Sequence, residues 1–108
     1  MNHVYVRDFI FQDAGASTAN GNELDLQAQS CSVDIHVIWS AGTSAGVIKI
    51  EEAQSTAYAG TWATLATVSW TAASKVDNVK MEGTFKYIRC RISTTVVGGT
   101  VTVTGDVN

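Results

Sequence analysis

The residues best suited to metal or acid–base chemistry are two histidines and two cysteines. A metal site needs more ligands at closer spacing than His3, His36, Cys31 and Cys90 offer. His36, beside Asp34 on the polar side of an alternating segment, reads as an ordinary surface or interface histidine. Cys31 and Cys90 read as buried free thiols, since free cysteine packs as a small hydrophobe. A disulfide stays open if their strands are neighbours, although a reducing cytosol disfavours it. Asp13, Glu23 and Asp25 could meet across one loop and offer hard oxygen ligands to calcium. They lack EF-hand spacing, so a solvated loop and strand face is the plainer reading. Glu51 and Glu52 read as solvated charges opposite Lys49 or an arginine across a sheet. No Ser, His and Asp set carries a local signature of nucleophilic catalysis, and no glycine pattern would cradle a phosphate. Neither a catalytic centre, a metal nor a cofactor is expected.

The three tryptophans are more suggestive. Trp39 and Trp70 lie in alternating segments and are expected in the core. Trp62 follows Tyr58-Ala59-Gly60-Thr61 and falls where a strand should start, either packed on the loop or exposed. Exposed aromatics on a β-sandwich can stack on sugars, so Tyr58 and Trp62 are candidate ligand-stacking residues. A carbohydrate-binding or similar ligand-binding module is therefore a rival reading, although no supporting cluster of Asp, Asn and Gln can be identified.

The elements that must position these residues are strands. Valine and threonine are abundant, proline is absent, and leucine occurs only at 24, 26 and 65. β-Branched residues suit a pleated, half-buried surface. Strands are expected over Val4–Gln12, Glu23–Gln29, Ser32–Ala41, Val47–Glu52, Thr61–Trp70, Phe85–Ser93 and Thr100–Val107, with a weaker one over Lys75–Glu82. The alternation puts Val33, Ile35, Val37 and Trp39 on one face, and Ile88, Cys90 and Ile92 on another. Gly42–Gly46 reads as a hairpin connection to Val47–Glu52. No stretch keeps a helical period. The expected fold is all-β: one antiparallel two-sheet β-sandwich, jelly-roll-like, of about seven or eight short strands filling residues 1–108.

Charge excludes some partners. The formal net charge is −3, and there is no basic stripe of the kind that neutralises phosphates, so nucleic acid is not an expected partner. Apolar runs are too short for a membrane span. Met1–Arg7 lacks the features of a secretory signal, so synthesis in the cytosol without export by that route is expected. Only 16% of residues are charged, against roughly 25% in an ordinary soluble domain. So little charge among so many Thr, Ser, Ala and Val implies a surface that meets other protein.

Four segments carry a family likeness: Ala45–Glu52, Gly60–Val68, Tyr87–Ile92 and Gly98–Val103. Their order, a glycine-led strand ending in acid, a Thr-Trp-Ala-Thr-Leu strand, a Tyr-Ile-Arg-Cys-Arg-Ile strand and a Gly-Gly-Thr-Val-Thr-Val strand, resembles small β-sandwich proteins of tailed bacteriophages. Those are virion structural or head decoration (capsid cement) proteins. The likeness implies a non-enzymatic part of a virion, made in a host cytoplasm, that binds the major capsid protein or other virion proteins, often as a dimer or trimer; a tail, fibre or neck component is the alternative within that class. The leading contact candidate is Val4–Gln12, where Tyr5, Phe9 and Phe11 share one parity and Val6 and Ile10 the other. A strand apolar on both faces is either a covered core strand or an arm laid on a neighbour.

Overall fold

In a computed structural model, residues 5–55 and 58–108 are described. His3 and the start of the first expected strand at Val4 lie outside them, as do Thr56 and Ala57 in the loop after Ala53. Among the described residues six antiparallel strands form: β1 (Val6–Gly15), β2 (Leu24–Trp39), β3 (Ala45–Ala53), β4 (Ala63–Ser69), β5 (Val76–Val97) and β6 (Val101–Val107). They join in one continuous sheet of order β1-β6-β2-β5-β3-β4. The expectation of seven or eight strands in two sheets is corrected to six in one.

The reason lies in two expected breaks that never occur. Glu23–Gln29 and Ser32–Ala41 run on as β2, and Lys75–Glu82 and Phe85–Ser93 run on as β5. The two joints lie opposite each other in the ladder, with Ser30 paired to Thr84 and Cys31 to Gly83. Each strand therefore supplies the hydrogen bonds that carry the other through its weak point. A bulge remains at Gln27 and Ala28, both at positive φ (58° and 54°). It bends β2 and adds local twist.

The 22-residue β5 is shared. Its first part pairs with β2 from Val76 to Ile88, and its second part pairs with β3 from Tyr87 to Val97. The sheet curls, and its two ends face each other across the core. Val33, Ile35, Val37 and Trp39 of β2 and Val101, Val103 and Val107 of β6 join Ile48 and Ile50 of β3 and Ile88, Cys90 and Ile92 of β5 in one buried cluster. The segment after β1 closes the curl: Ala19 and Ile92 exchange backbone hydrogen bonds, and the Val96 N–H donates to Ala16 O at 2.8 Å. Gln12 donates from Nε2 to Cys90 O at 2.9 Å, tying β1 to β5 from inside.

The expected hairpin at Gly42–Gly46 is also corrected. β5 lies between β2 and β3, and β2 lies between β5 and β6. The Gly42–Gly46 connection from β2 to β3 and the Gly98–Gly99 connection from β5 to β6 are therefore arches that cross over a strand, and they stack. Gly42 (φ 85°) and Gly98 (φ 82°) approach so closely that a side chain on either would strike the other's carbonyl.

β1 breaks its expected parity. Its ten residues span only seven of β6, with register shifts after Val6, Ile10 and Gln12. Asp8 (φ 52°) and Ala14 (φ 48°) sit at positive φ. Each extra residue flips the faces that follow. Tyr5 is therefore parted from the other two: it is 69% exposed, whereas half-buried Phe9 and buried Phe11 both pack on the core.

Candidate functional site

The outer face of β1, β6, β2 and β5 is built from the residues whose neighbours in sequence fill the core. Register sets them in rows. Ile10 of β1 pairs with Thr104 of β6, Thr104 with His36 of β2, and His36 with Asn78 of β5. In the next row Thr102 pairs with Ile38, and Ile38 with Val76. Ile10, Ile38 and Val76 are exposed by 43%, 39% and 54%. None of these seven side chains is Asp, Glu, Lys or Arg. Charge collects further along the same strands, where a cleft of about 280 Å³ is lined in part by Arg7, Asp34, Lys80, Glu82, Asp106 and Asn108. Asn78 joins the two regions: its amide donates to Ile35 O at 3.2 Å and also to Asp34, whose Oδ2 lies 3.6 Å from His36 Nε2. The result is a flat strip of isoleucine, valine and threonine with a charged end. It can exclude water from a matching protein surface.

A second cluster covers the outer face of β3 and β5. Glu51 is paired with Arg89, and Arg91, paired with Lys49, stands diagonally across from Glu51. Glu51 nonetheless has only 4% of its side chain exposed. Arg91 grips it with two hydrogen bonds, Nε to Oε1 and Nη2 to Oε2, each 3.1 Å, and Arg89 donates from Nε to Oε1 at 3.0 Å. The guanidinium of Arg89 lies 4.1 Å over the Trp62 ring. Trp62 donates from Nε1 to Tyr58 O at 2.9 Å and so folds the loop down over the ions. Burial alone would raise the Glu51 carboxyl, but hydrogen bonds from Arg91 and Arg89 and then their charges outweigh it, leaving it below its ordinary value. This is a fixed tether for the loop before β4.

The residues singled out in the sequence are scattered. Phe11 is 1% exposed, edge-on to Phe9 with ring centroids 4.8 Å apart, so of the two readings of this strand it takes the core place. Tyr58 is 45% exposed and borders a groove of about 250 Å³ with Glu52, Gln54 and Thr61. Trp62 is 3% exposed, with one ring face under Arg89, and is not open beside Tyr58 for stacking. Trp39 is buried. Trp70 is half-buried and donates from Nε1 to Thr43 Oγ1 at 3.1 Å. Among the described residues no three His, Cys, Asp or Glu side chains gather where they could hold a metal, and no helix is long and apolar enough to cross a membrane.

Sequence reading passed over the strip. Ile38 sits on the polar parity of its strand, and Val76 fits no period. The one available signal was an isoleucine at a position where its neighbours are Asp34, His36 and Ser40.

Cys31 and Cys90 are free and buried, 7% and 0% exposed. Burial pushes both thiols up, Cys90 far above the usual range, with the Glu51 charge adding to it. Thiolate is the reactive form, so an aromatic disulfide reagent should label neither cysteine in the folded protein and both in denaturant. Labelling of either at native rates near those of free thiol would show that the sheet opens there.

No family model matches the chain, and no curated protein matches it either. Among solved structures it is similar to the SPBc2 prophage-derived protein YomS, with a TM-score of 0.65 and 18% identity. The likeness covers 100% of this chain and 98% of that one. Identity this low speaks for a shared fold.

Proposed function

We propose that this protein is a non-enzymatic structural component of a phage particle, a capsid decoration or cement protein that binds the major capsid shell. The observation that carries the reading is the uncharged strip of Ile10, Ile38, Val76, Thr102 and Thr104 on a stiff sheet. Burying exposed isoleucine and valine stabilises a contact by roughly 25 cal/mol per Å², and a sheet held by paired strands loses little entropy when it docks. The low charged fraction and the prophage origin of the similar fold support the same reading. A tail, fibre or neck component would use the same chemistry. The saccharide reading asks for Tyr58 and Trp62 open together, and the covered ring of Trp62 speaks against it.

The test is co-sedimentation with purified capsids. Wild-type protein is expected to pellet with the shells. Ile38→Glu puts a charge at the centre of the strip, at a position exposed enough to tolerate it, and is expected to weaken attachment by at least about tenfold while leaving the circular dichroism spectrum unchanged. Attachment of Ile38→Glu at wild-type strength would remove the strip from the contact. Retention on a polysaccharide column, with no capsid binding by either protein, would favour the saccharide reading.

A further inference from the structure

The segment between β1 and β2 holds an asparagine followed by a glycine, Asn20-Gly21, whereas Asn22 and Asn78 are followed by Glu23 and Val79. Asparagine is among the thermolabile residues. The main-chain nitrogen of a glycine can approach the side-chain carbonyl of the asparagine before it, because no Cβ crowds the path. Asn20 is exposed, and Gly21 sits at a φ of 74°. Among the described residues neither the Asn20 amide nor the Gly21 N–H makes a hydrogen bond. Asn22 and Asn78 differ, since their amides donate to Ile10 O at 2.8 Å and to Ile35 O at 3.2 Å.

The pair stands at the seam that closes the curl. On one side Ala19 and Ile92 exchange backbone hydrogen bonds of 3.3 and 2.9 Å, and on the other the Asn22 N–H donates to Phe11 O at 3.0 Å. Gln12 clamps the seam, donating from Nε2 to Ala19 O at 3.1 Å and to Cys90 O at 2.9 Å. Gly21 lies so near that a side chain there would strike Phe11 O and the Gln12 amide. The path from Ala19 to Asn22 is therefore anchored at both ends and has little slack.

We propose that Asn20 is a site of spontaneous chemical modification, converting through a succinimide to isoaspartate, and that isoaspartate there loosens the seam. Hydroxide takes the proton from the Gly21 nitrogen, which attacks Asn20 Cγ. The N–Cγ bond forms, the Cγ–Nδ2 bond breaks, and Nδ2 leaves as ammonia with a proton from water, which restores the hydroxide. Water then opens the five-membered imide. Attack at Cγ gives aspartate. Attack at the main-chain carbonyl gives isoaspartate, in which the chain runs on through Cβ and Cγ. Nothing is oxidised or reduced, and water is the co-reactant. Both products add a carboxylate, but isoaspartate alone adds an atom to the main chain. That atom must fit between two anchors held by β1 and β5. Room for it comes from displacing Ala19 or Gly21, and either movement disturbs Gln12, a 6% exposed side chain whose donors are costly to leave unmade. The inference is independent of the capsid reading, because the reaction needs no particle.

The experiment ages the folded chain at physiological temperature, at neutral and at mildly alkaline pH. Peptide mapping follows it, with isoaspartyl methyltransferase as the probe. Isoaspartate is expected at residue 20, sooner at the higher pH, while Asn22 and Asn78 stay amides. The isoaspartate species, separated chromatographically, should unfold at a lower urea midpoint than fresh protein. Asn20→Asp carries the same added charge on an ordinary main chain and should keep the midpoint of fresh protein. Asn20→Gln, whose longer side chain does not close a five-membered ring, should stay unmodified on ageing. An Asn20 that survives in the folded chain while it converts in urea would overturn the site, since the anchors would then prevent ring closure. An isoaspartate species as stable as Asn20→Asp would overturn the loosening of the seam.

Discussion

Trp39→Ala should cost about 3–5 kcal/mol of folding stability, the usual range for deleting a large buried aromatic. That is a large share of the ~5–15 kcal/mol that holds a domain of this size together. Trp39 is 1% exposed and stands where the two ends of the curled sheet meet. Its ring lies against Gly46 at the start of β3, where φ is 154° and a side chain would strike the ring within 2.8 Å, and where Val96 is also close. No neighbour can collapse into the space, because the glycine and the strand ladders hold their places. The indole also donates from Nε1 to Asp77 Oδ2 at 2.9 Å. Trp39→Phe separates the two contributions. It keeps most of the apolar burial and loses the hydrogen bond, with Asp77 still paired to Lys75 at 3.2 Å, so its cost should be about 1–2 kcal/mol. Urea unfolding followed by circular dichroism reads both variants. A loss below about 1 kcal/mol for Trp39→Ala would mean that the two ends of the sheet do not depend on one another.

Glu51→Gln should cost about 3 kcal/mol, because removing one member of a buried ion cluster leaves the others uncompensated. Arg89 retains only 11% exposure of its side chain, so it cannot simply turn to water. The effect has a pH signature. The folded carboxyl titrates below its ordinary value of 4.5, so the unfolded chain takes up the proton more readily. The stabilisation is full above about that value and is lost as pH falls through the lower folded one. Wild-type urea midpoints should therefore drop on acidification beyond what Glu51→Gln shows, and the two curves should converge toward low pH. Curves that stay parallel from neutral pH down to about 3 would disconnect Glu51 from acid stability.

Much of this fold was legible in one period. The alternation through Val33, Ile35, Val37 and Trp39, through Ile88, Cys90 and Ile92, and through the valines of β6 predicts inward faces, and these residues fill the core. The period fails where something non-local decides. In β5 an inward Asp77 answers the Trp39 indole, so Val79 and Met81 point inward as well while Val76 points out, and no apolar rhythm shows. In β1, the register shift between Val6 and Phe9 parts Tyr5 from Phe9 and Phe11, which stay together on the core. Glu51 reads as a solvated charge with an arginine across the sheet. The arginines are there, but the burial comes from Trp62 folding back over Arg89, a contact that no spacing within β3 records. The strip around Ile38 was hidden for a related reason. It is assembled from one residue on each of several strands, and only the register brings them side by side.

The sharing of β5 has a consequence for how the chain is made. β2 and β3 both wait for it: neither has its main partner until residues 76–97 exist, and β1 waits longer still, for β6. A nascent polypeptide thus carries several unsatisfied ribbons through most of its synthesis, and pairings between such distant segments form slowly. Crowded ribosomes making this protein in bulk hold many such half-finished chains at once, and sticky, charge-poor ribbons in that state are the ones that coalesce. Yield in a heterologous host should be governed by translation rate and temperature more than by the resilience of the finished molecule.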